Sequence, residues 1–272
     1  MTTVLALDAA WTDKQPTGVA LLVGEGCHWR CAALAPSYQS FLGLANGVAV
    51  DWNGTFHGSA PDIPALLSAA AQIANTQSVD VVAIDMPVAT CPIKGRRISD
   101  DAVSKRFGGR KCGTHTPNSV RPGPLGAKLT RDFGGHGFKV ATAEVAPGTS
   151  GCLIEVYPHP ALLRLLDVDE RVPYKAGKAG RYWKGTTVPE RTRLLLEQFD
   201  RILCALGQHI GDIPLRLPRH PEVRCLAHLK KYEDALDALV SGWVAMRYLN
   251  GQAEPFGDGT SAIWVPKKGK VC

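Results

Sequence analysis

The chain lacks several features that would place it in a common class. No apolar run approaches the roughly 18 residues that a membrane-spanning helix needs, so no membrane association is expected. It opens directly on an apolar stretch, with no basic-then-apolar leader, and a cytoplasmic protein is the expectation. The first apolar stretch is followed by AAWTDK rather than by G-x-G-x-x-G. That argues against a doubly wound nucleotide-binding sheet, and against an actin-like or sugar-kinase-like phosphotransferase. Cys27 and Cys31 of CHWRC have no second ligand-spaced pair beside them, and His220, Cys225 and His228 form only a loose set. Zinc is therefore disfavoured, and the scattered cysteines, Cys272 among them, are expected to be free thiols. Internal repeats and low-complexity tails are absent, and nothing in the chain signals an oligomeric state.

What is present is an uneven charge. The 272 residues carry a formal net charge of +6. Eleven basic residues stand against three acids between Lys94 and Lys139, a balance of +8, while the rest of the chain sums to −2. A basic patch is the footprint of a polyanion, so nucleic acid is the expected partner. Arg96, Arg97, Arg110 and Lys111 are the candidate phosphate contacts. A long loop solvated by its own charges would have the same composition.

The hydrophobic pattern gives the order of elements. VLALDAA (4–10), TGVALLV (17–23) and HWRCAALAP (28–36) read as three short strands in an antiparallel meander. A helix over 61–77 with Pro64 in its first turn precedes VDVVAIDMP (79–87), a β-branched run suited to a strand buried on both faces. The Gly-, Pro- and Arg-rich stretch 94–150 shows little periodicity and reads as a functional loop or lid. A strand over 151–160, a short helix, an amphipathic helix over 188–206, a last helix over 230–249 and a strand over 261–266 follow. This order fits one domain over 1–272 with an α/β fold. It is an RNase H-like mixed sheet flanked by helices, with a basic insertion at about 94–150.

Four acids interrupt apolar elements where that sheet would converge them. Asp8 ends the first strand, Asp85 ends VVAID, and Asp234 and Asp237 lie three apart on the last helix. Unpaired carboxylates in an apolar setting are costly unless something neutralises them. Mg²⁺ or Mn²⁺ suits such oxygen ligands, and two ions about 3.5–4 Å apart serve phosphodiester hydrolysis. The four are therefore candidate catalytic and metal-ligating residues. The competing reading makes Asp234 an N-cap with Asp237 three positions on, as in a capping box. Glu233 points away from that pair and is set aside.

Supporting candidates are Glu155, as a further ligand or a partner of Lys175 or an arginine; His159, as a proton shuttle or a turn histidine; and Lys175, as a phosphate grip or a solvated lysine. Tyr182 and Trp183 would either stack on a base or pack, and Trp243 and Met246 read as core.

LALDAAW, VVAIDMP, IEVYPHP, Tyr174-Lys175, EDALDAL and IWVP together, in this order, resemble the family called domain of unknown function 429, a group regarded as RNase H-fold nucleases. The resemblance spans essentially the whole chain. It implies an RNase H-like fold and an acid pattern similar to that of Holliday-junction resolvases, with Asp8, Asp85, Asp234 and Asp237 in the matching places. Ala9 stands where many relatives have glycine, and Asp85 where resolvases have glutamate. The expectation is a metal-dependent nuclease. A binding module on the same fold without turnover is the alternative.

Overall fold

The computed structural model describes residues 1–12, 14–223 and 225–269; Cys272 lies outside the described residues. Among the described residues, eight strands form one mixed sheet: β1 (Thr2–Asp8), β2 (Gly18–Glu25), β3 (His28–Ala35), β4 (Val81–Ile84), β5 (Lys139–Val140), β6 (Cys152–Val156), β7 (Ala253–Gly257) and β8 (Ala262–Pro266). The strand order is β3-β2-β1-β4-β6-β8-β7, with β5 paired to β6. The first three strands are the antiparallel meander, and β1, β4, β6 and β8 run parallel through the centre. Alternate residues of β1 serve two cores, Val4 and Ala6 on one face and Leu5 and Leu7 on the other. A strand covered on both faces has to be apolar throughout, which is why VLAL shows no alternation.

The helices are α1 (Tyr38–Ala45), α2 (Ile63–Ala74), α3 (Ile98–Phe107), α4 (Pro124–Gly135), α5 (Pro158–Leu165), α6 (Ala179–Tyr182), α7 (Val188–Gly207) and α8 (Lys230–Leu249). Asp62 caps α2 by accepting from the Ala65 N–H at 3.0 Å, and Asn75 ends it in the left-handed region. Thr187 and Glu190 close a reciprocal capping box at the start of α7. Helices α1, α2 and α4 cover one face of the sheet; α5, α7 and α8 cover the other. Trp243 and Met246 of α8 are buried in that second core, as their positions suggest.

The stretch 94–150 is not a structureless lid. It contains α3, α4 and β5. Val103 and Phe107 of α3 pack with Leu163, Ile263 and Val265, while Leu129 and Phe133 of α4 join the core under β1 and β4. Two buried apolar residues in ten are too few for a visible period in α3, yet enough to anchor it on the sheet.

Helix α8 lies against β1 and β2 at very short range, and two glycines allow it. A side chain at Gly242 would meet Leu22 at 2.7 Å, and one at Gly18 would meet the Asp234 carbonyl oxygen at 2.2 Å. Gly18 is the register partner of Asp8. The absence of a side chain there is what lets the start of α8 settle beside the end of β1.

Candidate functional site

Three parallel strands end in line. Leu7 pairs with Ile84 and Ile84 with Glu155, so Asp8 and Asp85 stand side by side one step beyond that row, and Glu155 sits level with it, one residue short of the end of β6. The Asp85 N–H donates to the Leu7 carbonyl at 2.9 Å, continuing the ladder one residue past the strand. Across this edge runs the N-terminal half of α8, where Glu233, Asp234 and Asp237 are all buried.

The capping reading of these acids is overturned. The chain enters α8 from a 3-10 turn over Leu226–Leu229, so the helix begins at Lys230 and its N-cap is Leu229. Asp234 and Asp237 therefore lie in the second and third turns, beyond the unpaired amides that a cap would satisfy.

Their partners come instead from one tripeptide, Tyr174–Ala176. The Tyr174 hydroxyl donates to Asp237 Oδ1 at 2.5 Å, and the Lys175 ammonium donates to Asp237 Oδ2. The Ala176 N–H donates to Glu233 Oε2 at 2.6 Å. Lys230 donates to Asp234, whose carboxyl lies close to that of Asp8. Glu233 is part of the site after all, since Lys175 and Lys230 stand 3.4 and 3.2 Å from its Oε1.

The electrostatic balance is uneven. Asp8, Asp85, Glu233, Asp234 and Asp237 share two ammonium groups, Lys175 and Lys230. Burial, then Asp234 and Asp237, push the Asp8 carboxyl well above the usual range, against the pull of both lysines. Burial, then Asp237 and Glu155, push Asp85 up to about 7. Burial raises Asp234 as well, despite Lys230. Glu233 goes the other way: burial opposes its charge, but Lys175, Lys230 and the Ala176 amide outweigh it. The acid side of the cluster thus has more charge than its ammonium groups neutralise.

Glu155 has a different partner. The Arg97 guanidinium forks onto it at 2.6 and 2.7 Å and onto Asp100 at 3.0 Å, and the Val88 N–H adds a bond at 2.9 Å. Of the two roles expected of Glu155, the structure supplies the arginine partner. The Arg97 guanidinium in turn is fully engaged, its side chain only 8% exposed, so it has no face left for a phosphate. Arg96 is spent on Asp101 at 2.5 Å and on Ser104 at 2.7 Å. Arg110 and Lys111, which are more exposed, stand against Asp169 and Glu170.

His159 is buried between the rings of Tyr157 and Tyr174, its Nε2 against Arg171. Burial, then the charges of Lys175 and Arg171, hold it well below the usual histidine range, so it stays neutral. Tyr182 and Trp183 meet edge to face, and Trp183 packs on the α7–α8 core. All described cysteines are free; Cys31, buried in β3, has its thiol pushed up to about 12 by burial.

Residues 12–261 match the profile of a family described as Protein of unknown function (DUF429). The chain belongs to this family. The match begins after Asp8 and includes Asp85, Asp234 and Asp237. No curated protein and no solved structure matches the chain. Among the described residues of this DUF429 protein, no group of three or more His, Cys, Asp or Glu side chains stands ready-made to hold a metal ion. The physical reason is visible in the contacts: Asp234 and Asp237 are already bonded to Lys230 and Lys175. The donor set nevertheless has the chemistry of a hard divalent cation, with carboxylate oxygens only and an excess of negative charge. Beside the Asp8 end of β1 lies a cavity of about 460 Å³ bordered by Trp11, Thr17, Tyr38 and Leu129. Among the described residues no helix is long and apolar enough to cross a membrane.

The sequence did not single out Gly18, Lys230 or the hydroxyl role of Tyr174, and it set Glu233 aside. The signal available for Gly18 was a glycine opening an otherwise bulky strand, which marks a close backbone approach.

Proposed function

We propose that this chain hydrolyses phosphodiester bonds in nucleic acid, with Mg²⁺ or Mn²⁺ held by Asp8, Asp85, Asp234 and Asp237 on an RNase H-like fold. The observation that carries the reading is the charge imbalance at one sheet edge. Five carboxylates from two strands and a helix face each other with two ammonium groups, and the Asp85 carboxyl is driven up to about 7. A polar cluster of this kind is retained against its own repulsion when a cation completes it. When bound, a divalent ion supplies Lewis acidity and a water of lowered pKa.

The remaining roles belong to the chain itself. Tyr174 fixes the Asp237 carboxylate in one orientation, and the Arg97–Glu155 fork holds the end of β6 beside Asp85. Lys175 and Lys230 neutralise Asp237 and Asp234; were those carboxylates to hold a cation, the two ammonium groups would be free for a substrate phosphate. His159, buried and neutral, positions Arg171.

Purified protein incubated with DNA and with RNA in Mn²⁺ tests this. Wild type is expected to cleave one of them, while Asp8→Asn and Asp237→Asn keep the fold and lose cleavage. A wild type that cleaves neither overturns the hydrolase reading. The lysine contacts on Asp234 and Asp237 favour one rival, a module that binds nucleic acid without turnover. That rival predicts salt-dependent binding with no affinity for Mn²⁺.

A further inference from the structure

The four basic residues expected to touch phosphate are each matched by an acid: Arg96 by Asp101, Arg97 by Asp100 and Glu155, Arg110 by Asp169 and Lys111 by Glu170. A second basic group is not. Among the described residues, Arg171, Lys178 and Arg181 form no ion pair with an acid, and Arg171 and Arg181 both stand close enough to Lys178 to repel it. Lys178 is partly desolvated and repelled in turn by Arg171, Lys175 and Arg181. His115, brought in from the segment between α3 and α4, is repelled by Lys178, Arg171 and Arg121. Glu233 is the acid acting on Lys178, and it is already bonded to Ala176, Lys175 and Lys230.

The group is built rather than scattered. The Arg171 backbone N–H donates to the Arg110 carbonyl at 2.9 Å, and its guanidinium rests on His159. The Arg171 Nε is buried with no hydrogen-bond partner. Lys178 closes the 3-10 turn that begins directly after Lys175, whose ammonium is on Asp237. The unneutralised cations thus begin three residues from the carboxylate edge. Like charges held together at a cost are stabilised by a polyanion laid across them.

We propose that Arg171, Lys178 and Arg181, with His115 at their margin, form the face that grips a nucleic-acid backbone and leads it to the carboxylate edge. This deepens the nucleic-acid reading above and rests on it. Fluorescence anisotropy of labelled single-stranded and duplex oligonucleotides, in EDTA and across a salt series, tests the face without any cation. In the double variant Lys178→Gln/Arg181→Gln, affinity is expected to fall about tenfold or more and the salt slope to shrink by about 2. Arg110→Gln/Lys111→Gln is expected to stay within about twofold of wild type, because both side chains are already paired. Both positions of the first variant are at or near the surface, and an unchanged melting temperature checks its fold; the single reversal Arg181→Glu should weaken binding in the same direction.

Equal affinity of wild type and Lys178→Gln/Arg181→Gln overturns the proposal, and so does a wild type that binds no oligonucleotide. Mn²⁺ titration of the same variant keeps the two readings apart. An intact Mn²⁺ affinity with lost oligonucleotide binding supports both, whereas a wild type that binds oligonucleotide but not Mn²⁺ sinks the metal site and leaves this face standing.

Discussion

Two basic regions of this protein differ in a way that composition hides. The stretch from Lys94 to Lys139 carries eleven cations, and the ones singled out there are bound to acids of α3, of β6 or of the loop after α5. The stretch from Arg171 to Arg181 is shorter, yet Arg171, Lys178 and Arg181 have no acid in ion-pair reach among the described residues. Charge density along the chain therefore does not by itself show which cations are left unpaired. Potential depends on the charge left over after pairing, and pairing is set by the fold.

The same lesson applies to stability, and it can be broken at several points. The largest effect is expected at Arg97, whose guanidinium neutralises Glu155 and Asp100, both buried. Arg97→Ala leaves two buried carboxylates without their cation and should cost about 3–5 kcal/mol, read by urea unfolding. A loss near zero would mean that this arginine is as dispensable as the exposed ones.

Next comes Gly18. A Cβ there would stand 2.2 Å from the Asp234 carbonyl oxygen, which belongs to backbone and cannot swing aside. Gly18→Ala should destabilise by about 1–3 kcal/mol and push α8 off the end of β1. Thermal unfolding reads the first effect, and Mn²⁺ affinity, expected to fall with it, reads the second.

A smaller effect follows from His159. Its folded pKa lies well below the ordinary value, first through burial and then through Lys175 and Arg171. The unfolded chain takes up this proton near pH 6.5 and the folded chain does not, so the unfolded state binds more protons as the pH drops. This contribution is complete above about pH 6.5 and is lost progressively below it. Melting temperatures of wild type should therefore fall more steeply toward low pH than those of His159→Gln, which keeps an acceptor for Arg171. Parallel profiles would contradict the buried neutral histidine.

The smallest effect is expected at the surface. Lys111 and Glu170 are both more than half exposed, with side-chain exposures of 67% and 60%. Lys111→Gln should change stability by about 0–1 kcal/mol. Set beside Arg97→Ala, it separates a buried fork from a solvated pair within the same basic stretch.

Much of the fold was legible because burial on both faces leaves an unmistakable trace. VLAL, VVAI and the body of α8 are apolar throughout, and an acid at the end of each stands out against that background. That contrast is why Asp8, Asp85, Asp234 and Asp237 could be named together. Glu233 was misjudged because its role depends on where α8 begins. The turn over Leu226–Leu229 starts the helix four residues before Asp234 and aims Glu233 at the Ala176 amide. The ammonium partners were hidden for another reason: Lys175 sits 62 residues from Asp237 in the chain, and no local pattern announces such a pairing. Helices α3 and α4 escaped because few of their residues are buried and because Pro and Gly surround them. The motif order that pointed to the family runs from LALDAAW to IWVP, and the profile match over residues 12–261 falls between those two ends.

Calorimetric titration of Mn²⁺ into wild type and Asp8→Asn tests the central claim most directly. Saturable binding to wild type and its loss in Asp8→Asn are expected, with both proteins equally folded. Absence of Mn²⁺ binding to wild type, or equal binding to both, would contradict that claim.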